Sequence, residues 1–113
     1  MSAFARASLC MLLALFSLSR ARADDGDIEL ARKLFQEGTE LARGGAWEEA
    51  SHRFADSASL KPHAVTKYNL AYCERAQGHL ARARELFLES IAEHTTRGGT
   101  ELQPEMLEFA HAY

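Results

Sequence analysis

Apolar residues along this chain recur at three- and four-residue steps, in blocks separated by glycine or proline. Ala31, Leu34, Phe35, Gly38, Leu41 and Ala42 form the first stripe, the spacing of one face of an amphipathic helix. Asp27 is the expected N-cap before Ile28, and Gly44-Gly45 the expected stop, because glycine admits a left-handed residue. Trp47, Ala50, Phe54 and Ala58 make a second stripe, with Glu48 and Glu49 in a first turn that favours negative charge. Pro62 is expected in the first turn of the next helix, where its missing N–H costs nothing. A third stripe holds Val65, Tyr68, Leu70, Ala71 and Cys73, breaks at Gly78, and is followed by Leu80, Ala83, Phe87 and Ile91. Arg97-Gly98-Gly99-Thr100 reads as a turn, and Pro104 starts a last helix carrying Met106, Leu107 and Ala110. No segment alternates apolar and polar residues long enough to make a strand, so the expected class is all-α.

Sliding the sequence by 33 residues superposes Ala31 on Ala64, Gly45 on Gly78, Ala50 on Ala83, Phe54 on Phe87 and Ser57 on Ser90. Gly38 meets Ala71, Phe35 meets Tyr68 and Trp47 meets Leu80, so small residues fall on small and large apolar ones on large. The pattern predicts antiparallel helix-turn-helix hairpins over 28–61 and 62–95, a linker over 96–102 and a C-terminal helix over 103–113. The last helix carries no capping signal at Tyr113, which suggests a truncated piece or a solvating end helix. Arrays of this kind need about three units for stability. Two units and one helix therefore predict a marginal domain, a dimer or a missing remainder.

The order Gly38, Leu41, Gly45, Trp47, Ala50, Phe54, Ser57, Pro62 resembles a tetratricopeptide repeat, as does Asn69-Leu70-Ala71 followed by Gly78, Ala83, Phe87 and Ser90. The resemblance covers residues 28–95 and is closest in kind to exported bacterial members. The period is 33 where that family uses about 34. Glu37, Lys67 and Glu74 stand where the family carries large apolar residues, which puts the packing of each first helix in question. The ankyrin Thr-Pro-Leu-His signature is absent. The resemblance implies a concave groove lined by successive first helices. Matching positions put Arg32, Phe35, Thr39 and Arg43 there from the first unit, and Val65, Tyr68, Asn69, Tyr72 and Arg75 from the second. Aromatic rings and arginines suit a peptide groove, and the basic side chains favour an acidic partner or a free C-terminus. Phe35 and Tyr68 read equally well as core, and the arginines as solvated charges. Asn69 matches an asparagine with which carboxylate-binding members hold a peptide end, but Phe35 and Thr39 replace the lysine and second asparagine needed, which argues against that clamp.

The first 23 residues change the charge. Arg6 precedes an uncharged run from Ala7 to Ser19, short of the roughly 20 residues a spanning helix needs. Ala21-Arg22-Ala23 supplies a small-x-small cleavage pattern, so a signal peptide cut after Ala23 is expected, with Asp24 to Asp27 a short polar start. Arg20 and Arg22 are an irregularity, and nothing before Cys10 reads as a lipoprotein cleavage site. Without Arg6, Arg20 and Arg22 the chain holds 10 Lys plus Arg against 16 Asp plus Glu, a net −6 with histidine neutral. That balance argues against nucleic acid or an anionic membrane as the main partner, and no stable membrane insertion is expected after signal cleavage. Cys73, the one thiol then left, is expected to pack as a small apolar residue or to pair between chains.

Motifs for catalysis are lacking. His52, His63, His79, His94 and His111 are scattered, with no metal-ligand spacing, and each is expected at the surface. Gly44-Gly45 lacks the Lys-Ser/Thr of a phosphate loop, and there is no Gly-x-Ser-x-Gly elbow. No catalytic residue, metal or cofactor is expected. The reading is an exported, periplasmic or secreted scaffold that binds a peptide or protein partner. The alternatives are an oligomerising structural segment without a groove, and the non-catalytic part of an enzyme extending past residue 113. Intact-mass analysis of protein secreted by a bacterial host tests the export reading. The expected N-terminus is Asp24, and recovery of Met1 on the secreted chain overturns it.

Overall fold

The computed structural model describes residues 24–113. The expected signal peptide, residues 1–23, lies outside them. The described residues form helices throughout, with no strand among them. Helix α1 covers residues 24–43, α2 Trp47–Leu60, α3 Ala64–Ala76, α4 Leu80–Thr96 and α5 Pro104–Ala112. Consecutive helices pack antiparallel as α1–α2 and α3–α4, and α5 lies against α3 and α4.

The 33-residue repeat is a repeat of backbone geometry. Gly45 and Gly78 have φ of 79° and 81°. Ala46 donates to Leu41 O at 2.9 Å and Gly45 to Ala42 O at 3.0 Å; His79 donates to Glu74 O and Gly78 to Arg75 O, both at 2.9 Å. Both first helices thus end in the same Schellman pair of bonds, which needs a left-handed residue that only glycine adopts without strain. Ala46 and His79, the N-caps that follow, share φ −80° and ψ 66°.

Packing repeats as well. Phe54 meets Phe35 edge-on with centroids 5.5 Å apart, and Phe87 meets Tyr68 the same way at 5.4 Å. Edge-to-face pairs align the positive ring rim with the negative face of the neighbour. The core collects Ala50, Phe54, Leu70, Ala71, Cys73, Ala83, Leu86 and Phe87 from both hairpins, with Ala110 from α5. Ser57 Oγ donates to Ala31 O at 2.7 Å and so ties α2 to α1 with a buried bond. The Gln77 amide donates to Ser51 Oγ at 2.7 Å, which ties the end of α3 to α2 of the preceding hairpin.

Several boundaries differ from expectation. Asp27 is not an N-cap: residues 24–27 are already helical, and nothing in that acidic stretch opposes a helix start. Pro62 stands before α3, not within its first turn. Lys61, which precedes it, is extended with φ −142°, as proline demands of its neighbour, so α2 stops at Leu60. His63 is the N-cap of α3, its Nδ1 accepting from Val65 N–H at 3.1 Å. Leu80, expected in the α4 stripe, is 57% exposed. Its counterpart Trp47 leans on Tyr72.

Histidine exposure also departs from expectation. His94 is 7% exposed, and its Nδ1 accepts from Leu102 N–H at 2.9 Å. An accepting Nδ1 carries no proton, so here the ring acts as a hydrogen-bond acceptor and not as a cation facing the α4 dipole. Glu37, Lys67 and Glu74 find polar partners in place of an apolar pocket. Glu37 pairs with Arg53 of α2 at 3.1 Å, Lys67 lies 3.8 Å from Glu93 of α4, and Glu74 meets His79 Nδ1 at 2.6 Å.

Phe87→Ala is expected to cost about 3–5 kcal/mol, because it empties the junction of the second hairpin with α5. Leu88→Ala, on the outer face of α4, is expected within about 0.5 kcal/mol of the parent. Urea unfolding followed by circular dichroism compares the two.

Candidate functional site

The first helices α1 and α3 lie side by side, and the residues expected to line a groove divide between two concavities along that seam. One, of about 400 Å³, has Arg32, Phe35 and Val65 on its walls together with Ile28, Lys61 and His63. The other, of about 260 Å³, is lined by Thr39, Arg43, Asn69 and Tyr72, with Trp47, Phe54 and Cys73 also facing it. Tyr68 and Arg75 do neither. They are taken up by α5: Tyr68 meets Phe109 at 6.2 Å, and the Arg75 guanidinium lies 5.4 Å from the Phe109 centroid and 5.3 Å from that of Tyr113.

Helical spacing explains the division. Thr39 and Arg43 are four apart on α1, as are Asn69 and Cys73 on α3, so each pair shares a face. Tyr72 is 42% exposed and tilts against Trp47 at 6.1 Å. Thr39 turns its hydroxyl back to Phe35 O at 2.9 Å and is thereby satisfied within its helix. Among the described residues, no hydrogen bond or ion pair engages the Arg43 guanidinium, the Asn69 carboxamide or the Tyr72 hydroxyl. The smaller concavity thus offers a cation, an amide and a phenol above an apolar floor, a set that can hold a polypeptide by charge, backbone hydrogen bonds and ring contact. At the larger concavity Arg32 is engaged by Glu29 at 2.8 Å, both exposed, and His63 Nε2 faces Glu101 at 2.5 Å.

Burial pushes the Cys73 thiol up to about 11, with Glu74 adding to it. The side chain is 1% exposed, so it packs as an apolar group, and the thiolate needed for a nucleophile is suppressed. Burial also raises the Tyr68 phenol, with Tyr72 adding and Arg75 opposing. No cluster of three His, Cys, Asp or Glu side chains poised for a metal ion occurs among the described residues. No helix among them is long and apolar enough to cross a membrane.

Sequence reasoning missed Phe109 and Tyr113, whose rings contact Phe87 at 5.7 and 5.0 Å. Their i, i+4 spacing was the available signal, but nothing in a nine-residue helix says which element it folds against. Leu86, 2% exposed, was missed because it lies beside the Ala83–Phe87 stripe. No family model matches this chain, and no curated protein or solved structure does either.

The raised thiol sets the sign of an alkaline effect. Below the unfolded-state value of about 9 both states hold the proton and the contribution of Cys73 to stability is complete. It is lost as pH rises from there through about 11, by roughly 2–3 kcal/mol for a two-unit shift. Chemical unfolding at pH 8 and pH 10.5 is expected to show that loss in the parent, and a shallower one in Cys73→Ala.

Proposed function

We propose that this chain is an exported tetratricopeptide-type scaffold that binds a partner polypeptide along the α1–α3 face. The observation that carries the reading is the convergence of Arg43, Asn69 and Tyr72, whose polar groups make no hydrogen bond or ion pair among the described residues, on one apolar-floored concavity. Polar groups held at the mouth of an apolar cleft are the composition of a recognition site, where the floor supplies affinity and the polar rim sets orientation. The repeated Schellman turns and ring pairs support the assignment to that repeat type, since each first helix then presents its outer face to the same side. Binding is favoured over catalysis because the thiol at this site is buried and held protonated. Exposed Leu80 and Leu88 on α4 favour self-association as the second reading.

Selection of random displayed peptides on the immobilised full chain tests the groove. Selected peptides are expected to lose at least about tenfold in affinity for Arg43→Ala/Tyr72→Ala, since truncating a central Arg or Tyr costs more than about 1 kcal/mol. Equal affinity for parent and variant, at matched circular dichroism, overturns the α1–α3 site. Light scattering on the same samples decides the second reading, for which a parent dimer that Leu80→Glu/Leu88→Glu dissolves is the required outcome.

A further inference from the structure

One wall of the larger α1–α3 concavity is the start of α3. His63, the N-cap, and Val65 and Thr66 of the first turn all line it, beside Lys61. The first N–H groups of a helix have no partner within it and carry the positive end of its dipole. Here the Val65 N–H goes to His63 Nδ1 and the Lys67 N–H to His63 O, both at 3.1 Å. Among the described residues, the N–H groups of Ala64 and Thr66 make no hydrogen bond.

Thr66 carries a second unmet donor into the same place. It is 4% exposed, and its hydroxyl makes no hydrogen bond among the described residues. Thr39, Thr95 and Thr96 each return theirs to the carbonyl four residues back, whereas four residues before Thr66 the chain is not yet helical. Among the described residues, Glu101 Oε1 is the one side-chain polar atom both sealed and unbonded, so the Thr66 hydroxyl still opens onto the cavity. A side chain this buried leaves a donor unmet only at a cost. Lys61 is exposed, and no ion pair or hydrogen bond engages its ammonium among the described residues. Arg32 and His63, the other basic side chains on the wall, are engaged by Glu29 and Glu101. Ile28, Phe35 and Val65 supply the apolar part, and each keeps some of its surface exposed.

We propose that this concavity takes a glutamate side chain of the partner polypeptide, its carboxylate held by the α3 N-terminus, the Thr66 hydroxyl and Lys61. The proposal rests on the reading of the α1–α3 face as a polypeptide-binding groove and adds an anchor to it. Ammonium and N–H groups only donate and the hydroxyl is free to donate, so the matching ligand group is one that accepts on every side, as a carboxylate does. Its negative charge also suits the helix end. The methylenes of a glutamate cover Ile28, Phe35 and Val65, which a shorter aspartate leaves bare. Arg32 and Thr39, on the walls of the two concavities, are seven residues apart on α1. That is about 10 Å along the helix, which three residues of extended chain span, so one segment reaches both.

The test is a nuclear magnetic resonance titration of the isotope-labelled full chain with two blocked amino acids, the N-acetyl α-methylamides of glutamate and glutamine. They have nearly the same shape and differ in side-chain charge. The glutamate probe is expected to shift the Ala64, Val65 and Thr66 amide resonances saturably and to bind at least about tenfold more tightly than the glutamine probe. Thr66→Val removes only an unbonded hydroxyl, so it is expected to melt no lower than the parent and to weaken the glutamate probe about tenfold. Lys61→Met is expected to weaken it about two- to fivefold, as an exposed cation does. Equal binding of both probes overturns the carboxylate, and shifts confined to other residues, or none at tens of millimolar probe, overturn the site. A Thr66→Val that melts well below the parent shows the hydroxyl bonded in the fold and overturns the premise. The groove itself is decided separately by the displayed peptides. Peptides that need Arg43 and Tyr72 but tolerate Glu→Gln at every acidic position overturn the anchor and leave the groove standing. A glutamate probe seated at α3, with peptides indifferent to Arg43 and Tyr72, overturns the polypeptide as occupant.

Discussion

A β-carbon built on Gly38 would lie 3.0 Å from two carbons of the Phe54 ring. That closeness sets how the first hairpin is assembled. The α2 ring seats directly on the α1 backbone, and it is held there edge-on by Phe35 at 5.5 Å. Helices can approach this closely only where one of them presents a small residue, and the large ring opposite then fills the gap to interior density. The second hairpin solves the same problem with Ala71, Phe87 and Tyr68. Each ring pair fixes the depth and angle of its hairpin, and through them the distance between α1 and α3. The two concavities exist because those first helices are spaced by rings buried behind them.

The two junctions differ in what completes them. Behind α3 and α4 the chain supplies Phe109 and Tyr113, and the Arg75 guanidinium closes over both. The approach of α5 is guided from its other end. Leu102, 5% exposed, donates its N–H to His94, and Glu101 lies between His63 at 2.5 Å and Arg97 at 3.5 Å. The Leu102 N–H contributes by being satisfied, since a stranded buried donor costs more than its bond adds, whereas Glu101 Oε1 is buried without a hydrogen bond and has only the Arg97 charge beside it. At the first junction nothing comparable arrives, and Arg43, Asn69 and Tyr72 are left facing solvent across an apolar floor.

Much of this was legible without coordinates. The 3.6-residue stripes, the paired glycines and the 33-residue register identify the helices and their pairing into hairpins, because turn geometry and burial of one face are local demands. Individual side chains fared unevenly. Arg43, Asn69 and Tyr72 were foreseen together and do share a cavity, whereas Tyr68 and Arg75 were foreseen there and serve to hold α5. Glu37, Lys67 and Glu74 stand out of place in an apolar pattern, yet each meets an opposite charge or a histidine outside the core.

The sequence by itself determined the all-helical class, the turn positions and which face of each helix is apolar, since these follow from residue spacing and from what glycine and proline permit. Only the tertiary structure decided that His94 is an acceptor buried beneath a loop, that Leu80 is exposed, and that α5 docks onto α3 through rings absent from the repeat pattern. Those outcomes depend on contacts between residues far apart in the chain. Spacing along one helix cannot specify them, because the partner that buries a face, or leaves it open, belongs to another helix.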